Sequence, residues 1–210
     1  MGKGREFLDR IYALDDDGEV RSFYDEAAGR YDEILLAQVG YVSPTICAQT
    51  MARFLDDKNV RLMDLGCGTG LAGEALAALG YSHIDGVDFS TEMLTVAQAR
   101  GCYQRLSVAD LNSDTHIPEH SYAAAVSVGV FGQHVLPDAL DEAIRIVEPG
   151  GIFCFSVNER AFEGYGFRTK VETLVTENRA TCLSLAKEPY HVNEKIDGWV
   201  CLLRIGAAPS

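Results

Sequence analysis

No two cysteines of the chain lie within ten residues of each other. Cys47, Cys67, Cys102, Cys154, Cys182 and Cys201 therefore offer no CxxC pair and no zinc spacing. They read as buried or reduced thiols, not as a disulfide framework. Long apolar runs are also missing. The longest lies near Ala123–Phe131, far short of the roughly 20 residues that span a bilayer. Met1–Arg10 is polar and lacks the apolar core of a signal peptide. A cytoplasmic protein without membrane contact is the expectation.

Cations are scarce. The chain carries 18 Lys and Arg against 31 Asp and Glu, a net charge of −13. Residues 62–144 hold only Arg100 and Arg105 against 11 acids. Such a chain is a poor partner for phosphate backbones or anionic lipid, so nucleic acid is disfavoured. The bare middle segment fits a sheet core with acidic loops. It also fits a ligand that needs no phosphate clamp and is itself cationic. With 210 residues, 47% of them hydrophobic, the chain has material for one domain with a sizeable core.

Short apolar runs alternate with helical patterns from Val60 to Gly151. Strands are expected at Val60–Leu65, His83–Asp88, Tyr103–Val108, Tyr122–Val130 and Ile152–Val157. Helices are expected at Leu71–Leu79, from Thr91 to about Arg100 behind a Ser90 cap, and from Pro137 to about Val147. Another helix is expected around Tyr165–Asn178. Ala180–Val192 and Gly198–Ile205 then follow without an intervening helix, which implies an antiparallel hairpin at the sheet edge. Upstream, helices are expected at Lys3–Leu14, Ser22–Leu36 and Thr45–Leu55, with Asp15-Asp16-Asp17-Gly18 as a solvated turn. The expected fold is α/β: a doubly wound, Rossmann-like, mostly parallel seven-stranded sheet with a C-terminal antiparallel hairpin and an N-terminal helical lid. Residues 1–59 form the lid, 60–157 the ligand-binding core, and 158–210 the final helix and hairpin, all in one domain.

Asp64-Leu65-Gly66-Cys67-Gly68-Thr69-Gly70 lies where a strand hands over to a helix. Glycines suit this turn because they permit positive φ and let a ligand touch backbone. Asp88 ends the second strand, where a carboxylate can accept from a ribose diol. Asp110 follows the third strand and could accept from an adenine amino group, with Phe89 and Leu111 flanking the ring. Ser127 closes the fourth strand at the switch point. Dinucleotides and adenosyl cofactors both suit such a crevice. A pyrophosphate tolerates few nearby acids, whereas a sulfonium with an α-amino group favours Asp64.

These residues resemble the class I S-adenosylmethionine-dependent methyltransferases. Val60–Gly70 looks like their first motif, Gly86-Val87-Asp88-Phe89-Ser90 with Met93-Leu94 their second, and Ala109-Asp110-Leu111 their adenine motif. Val147-Glu148-Pro149-Gly150-Gly151 is similar to the turn before their fifth strand. Tyr24-Asp25, Ala27 and Tyr31-Asp32 resemble a segment placed over the cofactor. The resemblance spans about residues 20–205, with a looser one to methyltransferase-like proteins of the Williams–Beuren syndrome critical region type. It implies S-adenosylmethionine as cofactor, leaving as S-adenosylhomocysteine. It places the methionine part on Gly66, Cys67 and Gly68 near Asp64, the ribose on Asp88 and the adenine on Asp110. Tyr24 and Tyr31 would cover it, and Phe89, Met93, Leu111 and Ser127 complete the set. Two departures stand out. Tyr122-Ala123 occupies the place of a Phe-Asp pair, and Ser127-Val128-Gly129-Val130 replaces the box of amino-directed nucleic-acid methyltransferases.

His134 follows the fourth strand and is the candidate general base. His116, His120 and His191 read as surface residues. Asp138, Asp141 and Glu142 stand at helical spacing, but a helix dipole already explains them, so no metal is assigned. Tyr41, Pro44, Phe131, Tyr165, Phe167 and Trp199 are candidate acceptor contacts. The resulting expectation is methyl transfer to a small-molecule oxygen or nitrogen nucleophile, neutral or cationic. A protein acceptor, a non-catalytic cofactor-binding partner subunit and an NAD-dependent oxidoreductase are the alternatives. The oligomeric state is not legible.

Overall fold

The computed structural model describes residues 2–14 and 16–206, without the side chains of Lys3 and Asp17. Its strands are β1 (Leu62–Leu65), β2 (Ile84–Asp88), β3 (Tyr103–Val108), β4 (Tyr122–Val128), β5 (Val147–Asn158), β6 (Ala180–His191) and β7 (Ile196–Ile205). They form one seven-stranded sheet in the order β3-β2-β1-β4-β5-β7-β6. β1 to β5 run parallel, and β7 is antiparallel to both β5 and β6. Every residue of β1 and β2 is buried, as expected of central parallel strands covered on both faces. The strand order reverses between β1 and β4, which opens a crevice beyond their carboxyl ends.

Helices cover both faces. α3 (Ser43–Ala52), α4 (Leu71–Ala78) and α5 (Thr91–Ala99) lie on one side, where Met51, Leu76 and Ala97 pack against Leu62, Ile84 and Val126. α6 (Ala139–Ile146), α7 (Glu159–Gly164) and α8 (Phe167–Thr176) lie on the other, where Leu140, Phe162 and Phe167 pack against Leu65, Phe153 and Phe155. α1 (Lys3–Tyr12), α2 (Asp17–Ala27), a 3-10 turn (Ala28–Arg30) and a π-helical turn (Glu33–Val39) precede them. This N-terminal segment has a small core of its own, built from Phe7, Leu8, Phe23, Leu35 and Val39.

Several elements differ from the expectation for local reasons. β4 stops at Val128 because Gly129, at φ +73°, turns the chain out of the sheet. β5 starts earlier than expected and carries Pro149-Gly150-Gly151 as a bulge. Its register jumps from Tyr122↔Val147 to Ala124↔Ile152, since proline has no N–H for the ladder. The helix expected at 165–178 is α8, and a short helix that was not expected, α7, precedes it. Asn158 caps α7 through Ala161 N–H at 2.9 Å, and Gly166 at φ +86° separates the two. Asp16 is a helix cap, not part of a solvated turn: its Oδ1 accepts from Gly18 N–H at 2.8 Å. Asp15 lies outside the described residues. The Trp199–Leu203 stretch lies inside the sheet, with β5 on one side and β6 on the other.

His191, expected at the surface, is only 4% exposed. Its ring packs against Tyr41 and Tyr190 at centroid distances of 5.3 and 4.7 Å, and its Nδ1 has no partner among the described residues. Burial holds its pKa down at about 4. Between pH 6.5 and 4 the unfolded chain therefore takes a proton that the folded one refuses, so stability falls with falling pH. The loss at pH 4 from this residue is about 3 kcal/mol. Urea unfolding at pH 7 and pH 4.5 is expected to show a smaller pH loss in His191→Phe than in the native chain.

Candidate active site

The loop Gly66-Cys67-Gly68-Thr69-Gly70 carries the chain from β1 into α4. Gly66 sits at φ +69°, and a Cβ there would come within 2.4 Å of a Val130 methyl. Gly68 sits at φ +52° and faces open space, so its backbone is accessible to a ligand. Its N–H donates to Asp88 Oδ2 at 2.8 Å, and Ser90 N–H donates to Asp88 Oδ1 at 2.9 Å. The two bonds orient the carboxylate and leave each oxygen further acceptor capacity. Burial pushes the Asp88 pKa up, against these backbone donors.

Asp64 lies inside β1 and is 1% exposed. Tyr103 donates its hydroxyl to Asp64 Oδ2 at 2.6 Å. Oδ1 has no partner among the described residues. Burial raises the Asp64 pKa to about 7, partly opposed by the Tyr103 bond. A buried carboxylate with one orphan oxygen fits a cationic ligand group.

One cavity joins these residues. Asp64, Gly66, Cys67, Gly68, Asp88, Phe89, Met93, Asp110 and Leu111 line it, with Tyr24 and Tyr31 above. The Tyr24 ring meets Tyr31 and Phe89 edge-on at 5.8 and 5.9 Å, and burial pushes its phenol up to about 12. Ser127 does not line the cavity. It is fully buried and donates its hydroxyl to the Leu65 carbonyl at 2.8 Å, tying β4 to β1. The lining contains three carboxylates and one cation, Arg160. Neither cation of the 62–144 segment reaches the cavity. Arg105 pairs with Asp85, an acid that also accepts from Arg61 and from Tyr122 at 2.8 Å. That bond satisfies the Tyr122 hydroxyl within the core.

Arg100, the other cation, is 13% exposed. Its Nε donates to Thr69 O at 2.5 Å, and its guanidinium pairs with Asp32 and Glu74. Thr69 Oγ1 also donates to Asp32. Asp32, between the 3-10 and π turns, is thus fastened to the glycine loop. The sequence hinted at this through the Tyr31-Asp32 pair and the rarity of cations. Arg100→Gln is expected to fold but to bind S-adenosylhomocysteine about tenfold more weakly, because breaking a partly buried pair leaves Asp32 unneutralised. Calorimetric titration checks this, and an unchanged affinity would show that the fastening is irrelevant to binding.

Beyond the carboxylates the cavity continues between Tyr12, Tyr41, Pro44, Phe131, Gln133, His134, Arg160 and Tyr165. Phe167 and Trp199 are elsewhere: Phe167 is fully buried, and Trp199 stacks on Phe162 at 5.1 Å. His134 does not present a free base. Gln133 Nε2 lies 2.9 Å from the Leu14 carbonyl and 2.8 Å from His134 Nε2. The carbonyl identifies the Gln133 nitrogen as a donor, so His134 Nε2 accepts and its proton sits on Nδ1. In this arrangement His134 can only donate. Asp138 and Asp141 pair with Lys170, and Glu142 with Arg145, so cations already occupy the carboxylates weighed as metal ligands. No group of three or more potential metal ligands occurs among the described residues. No helix among them is long and apolar enough to cross a membrane.

Residues 62–151 match the family model described as a methyltransferase domain. Methyltransferase-like protein 27 of Homo sapiens is 33% identical over 137 residues, 64% of this chain and 56% of that protein. Demethylmenaquinone methyltransferase of Clavibacter sepedonicus is 29% identical over 189 residues, 87% of this chain and 76% of that protein. The chain spans about half the length of most curated relatives it matches. The fold is shared with a Haloferax volcanii methyltransferase solved in complex with the Trm112 methyltransferase activator. That structure has a TM-score of 0.69 and 18% identity, over 91% of this chain and 99% of the other. Residues 62–151 thus carry a methyltransferase domain, on a fold shared with class I methyltransferases, and S-adenosylmethionine is the cofactor of that class.

Proposed function

We propose that the protein transfers the methyl group of S-adenosylmethionine to an oxygen or nitrogen nucleophile of a small molecule. The observation that carries this reading is the single cavity running from Asp64, Asp88 and Asp110 to an aromatic chamber. When bound, the cofactor supplies an electrophilic methyl on a sulfonium. The chain's own residues then have three tasks. Asp64 Oδ1 takes the cationic methionine end, beside the backbone of Gly66, Cys67 and Gly68. Asp88 accepts from the ribose hydroxyls, and Asp110 accepts from the adenine amino group between Phe89 and Leu111, with Met93 beneath. Tyr24 and Tyr31 exclude water from above.

Residues 1–59 serve as the lid over the core at 60–157, and residues 158–210 close the acceptor side, all as one domain. Displacement at a methyl needs in-line placement and a dry site more than it needs proton transfer. His134 and Gln133 therefore hold the acceptor without abstracting a proton, which the acceptor gives up to bulk water as the methyl–sulfur bond breaks and the new bond to the methyl forms. The name of the Clavibacter relative favours a small-molecule acceptor over a protein one.

The test is incubation with a methyl-labelled donor and a panel of small hydroxyl and amine compounds, with a protein extract as second arm. Label in a small molecule together with S-adenosylhomocysteine release is expected. Label in extract proteins alone, or none in either arm, would overturn the reading.

A further inference from the structure

The cavity is electrically lopsided. Its lining holds two buried carboxylates, Asp64 and Asp88, and a half-buried one, Asp110, whereas Arg160, the one cation of the lining, stands at the surface. Arg160 is exposed, and its guanidinium lies over the Tyr12 ring at 5.9 Å. A second hollow adjoins the first and shares Tyr12, Asn158 and Arg160 with it. Its rim also carries Arg5, Asp9, Glu159, Lys195 and Asp197. The rim's three acids are already taken. Asp9 pairs with Arg5 at 3.1 Å, while Glu159 and Asp197 pair with Lys187 at 2.6 and 3.7 Å. Arg160 and Lys195 make no ion pair among the described residues, and Lys187 is shared between two acids, so these groups leave the entrance with one net positive charge, and Arg160 is the cation that lines the aromatic chamber itself. In a chain of net charge −13, such a spot attracts anions locally while the surroundings repel them.

We infer that the acceptor is a flat aromatic or unsaturated molecule bearing a carboxylate, its ring between Tyr12, Phe131 and Tyr165 and its carboxylate on Arg160. This rests on the methyl-transfer reading and sharpens it. It replaces the neutral or cationic acceptor that overall charge suggests. A guanidinium presents paired N–H donors in the spacing of a carboxylate, and the aromatic walls take the ring. The anion at the mouth places the far edge of the ring toward the inner, cofactor end, and Lys195 adds attraction on approach.

The experiment titrates 3,4-dihydroxybenzoate, its primary amide and 3,4-dihydroxybenzylamine into the protein loaded with S-adenosylhomocysteine. The acid is expected to bind about tenfold tighter than the amide, a gain in keeping with a charge-assisted bond, and the amine weakest. Arg160→Gln is expected to abolish the preference, and Arg160→Lys to keep part of it. Equal affinities, a preference for the amine, a preference that survives Arg160→Gln, or no binding of the acid at millimolar concentration would each overturn the inference. Failure of S-adenosylhomocysteine itself to bind would instead overturn the methyl-transfer reading, and this inference with it.

Discussion

Asp88→Ala is expected to weaken S-adenosylhomocysteine binding by about 100-fold or more. Two ribose hydroxyls donating to a buried carboxylate are worth about 1.5–3 kcal/mol each, and every 1.4 kcal/mol is tenfold in affinity. The substitution also leaves Gly68 N–H without its 2.8 Å acceptor, which loosens the loop that the ligand must touch. Asp88→Asn keeps one acceptor oxygen and should lose about tenfold. Calorimetric titration reads both losses, and thermal unfolding confirms that each variant is folded. A loss under threefold in Asp88→Ala would remove the ribose from this position.

Asp64 should make cofactor affinity depend on pH in the neutral range. Its pKa is raised by burial to about 7, so the ligand-free protein holds a proton there below pH 7. A cationic ligand group beside Oδ1 favours the ionised form, and binding then expels that proton. Affinity for S-adenosylmethionine should therefore climb as pH rises toward 7 and level off above it. Asp64→Asn should flatten the profile and lose about tenfold at pH 8, since a charge-assisted contact is gone. Measurements in buffers of different ionisation enthalpy would register the released proton at pH 6.5. The stability effect has the opposite sign to that of His191. The folded chain holds the Asp64 proton between pH 3.8 and about 7, where the unfolded one has released it. This contribution is therefore complete at low pH and is lost as pH rises through 7.

The sheet was legible because its evidence is local and repeated. Apolar runs ending at Gly66 and Asp88 mark strand ends, and the side-chain cap at Ser90 marks a helix start. Asp64, Asp88 and Asp110 stand at those strand ends, so their convergence followed from topology alone. What stayed hidden depends on partners distant in sequence. Ser127 occupies the right strand, but its hydroxyl is spent on Leu65. His134 follows the right strand, but Gln133 and the Leu14 carbonyl determine which nitrogen carries its proton. His191 looks polar in sequence, yet the tyrosines packed around it come from two segments 149 residues apart, Tyr41 and Tyr190. Arg160 lies on a short helix that was not anticipated. Net charge averages over the whole surface and so concealed the one cationic entrance.

Titration of the purified protein with S-adenosylmethionine, in the absence and presence of excess NAD, tests the assignment of the crevice most directly. Saturable one-to-one binding, unaffected by NAD and weakened about 100-fold or more in Asp88→Ala, is the predicted result. Absence of binding, or displacement of the sulfonium ligand by NAD, would contradict it.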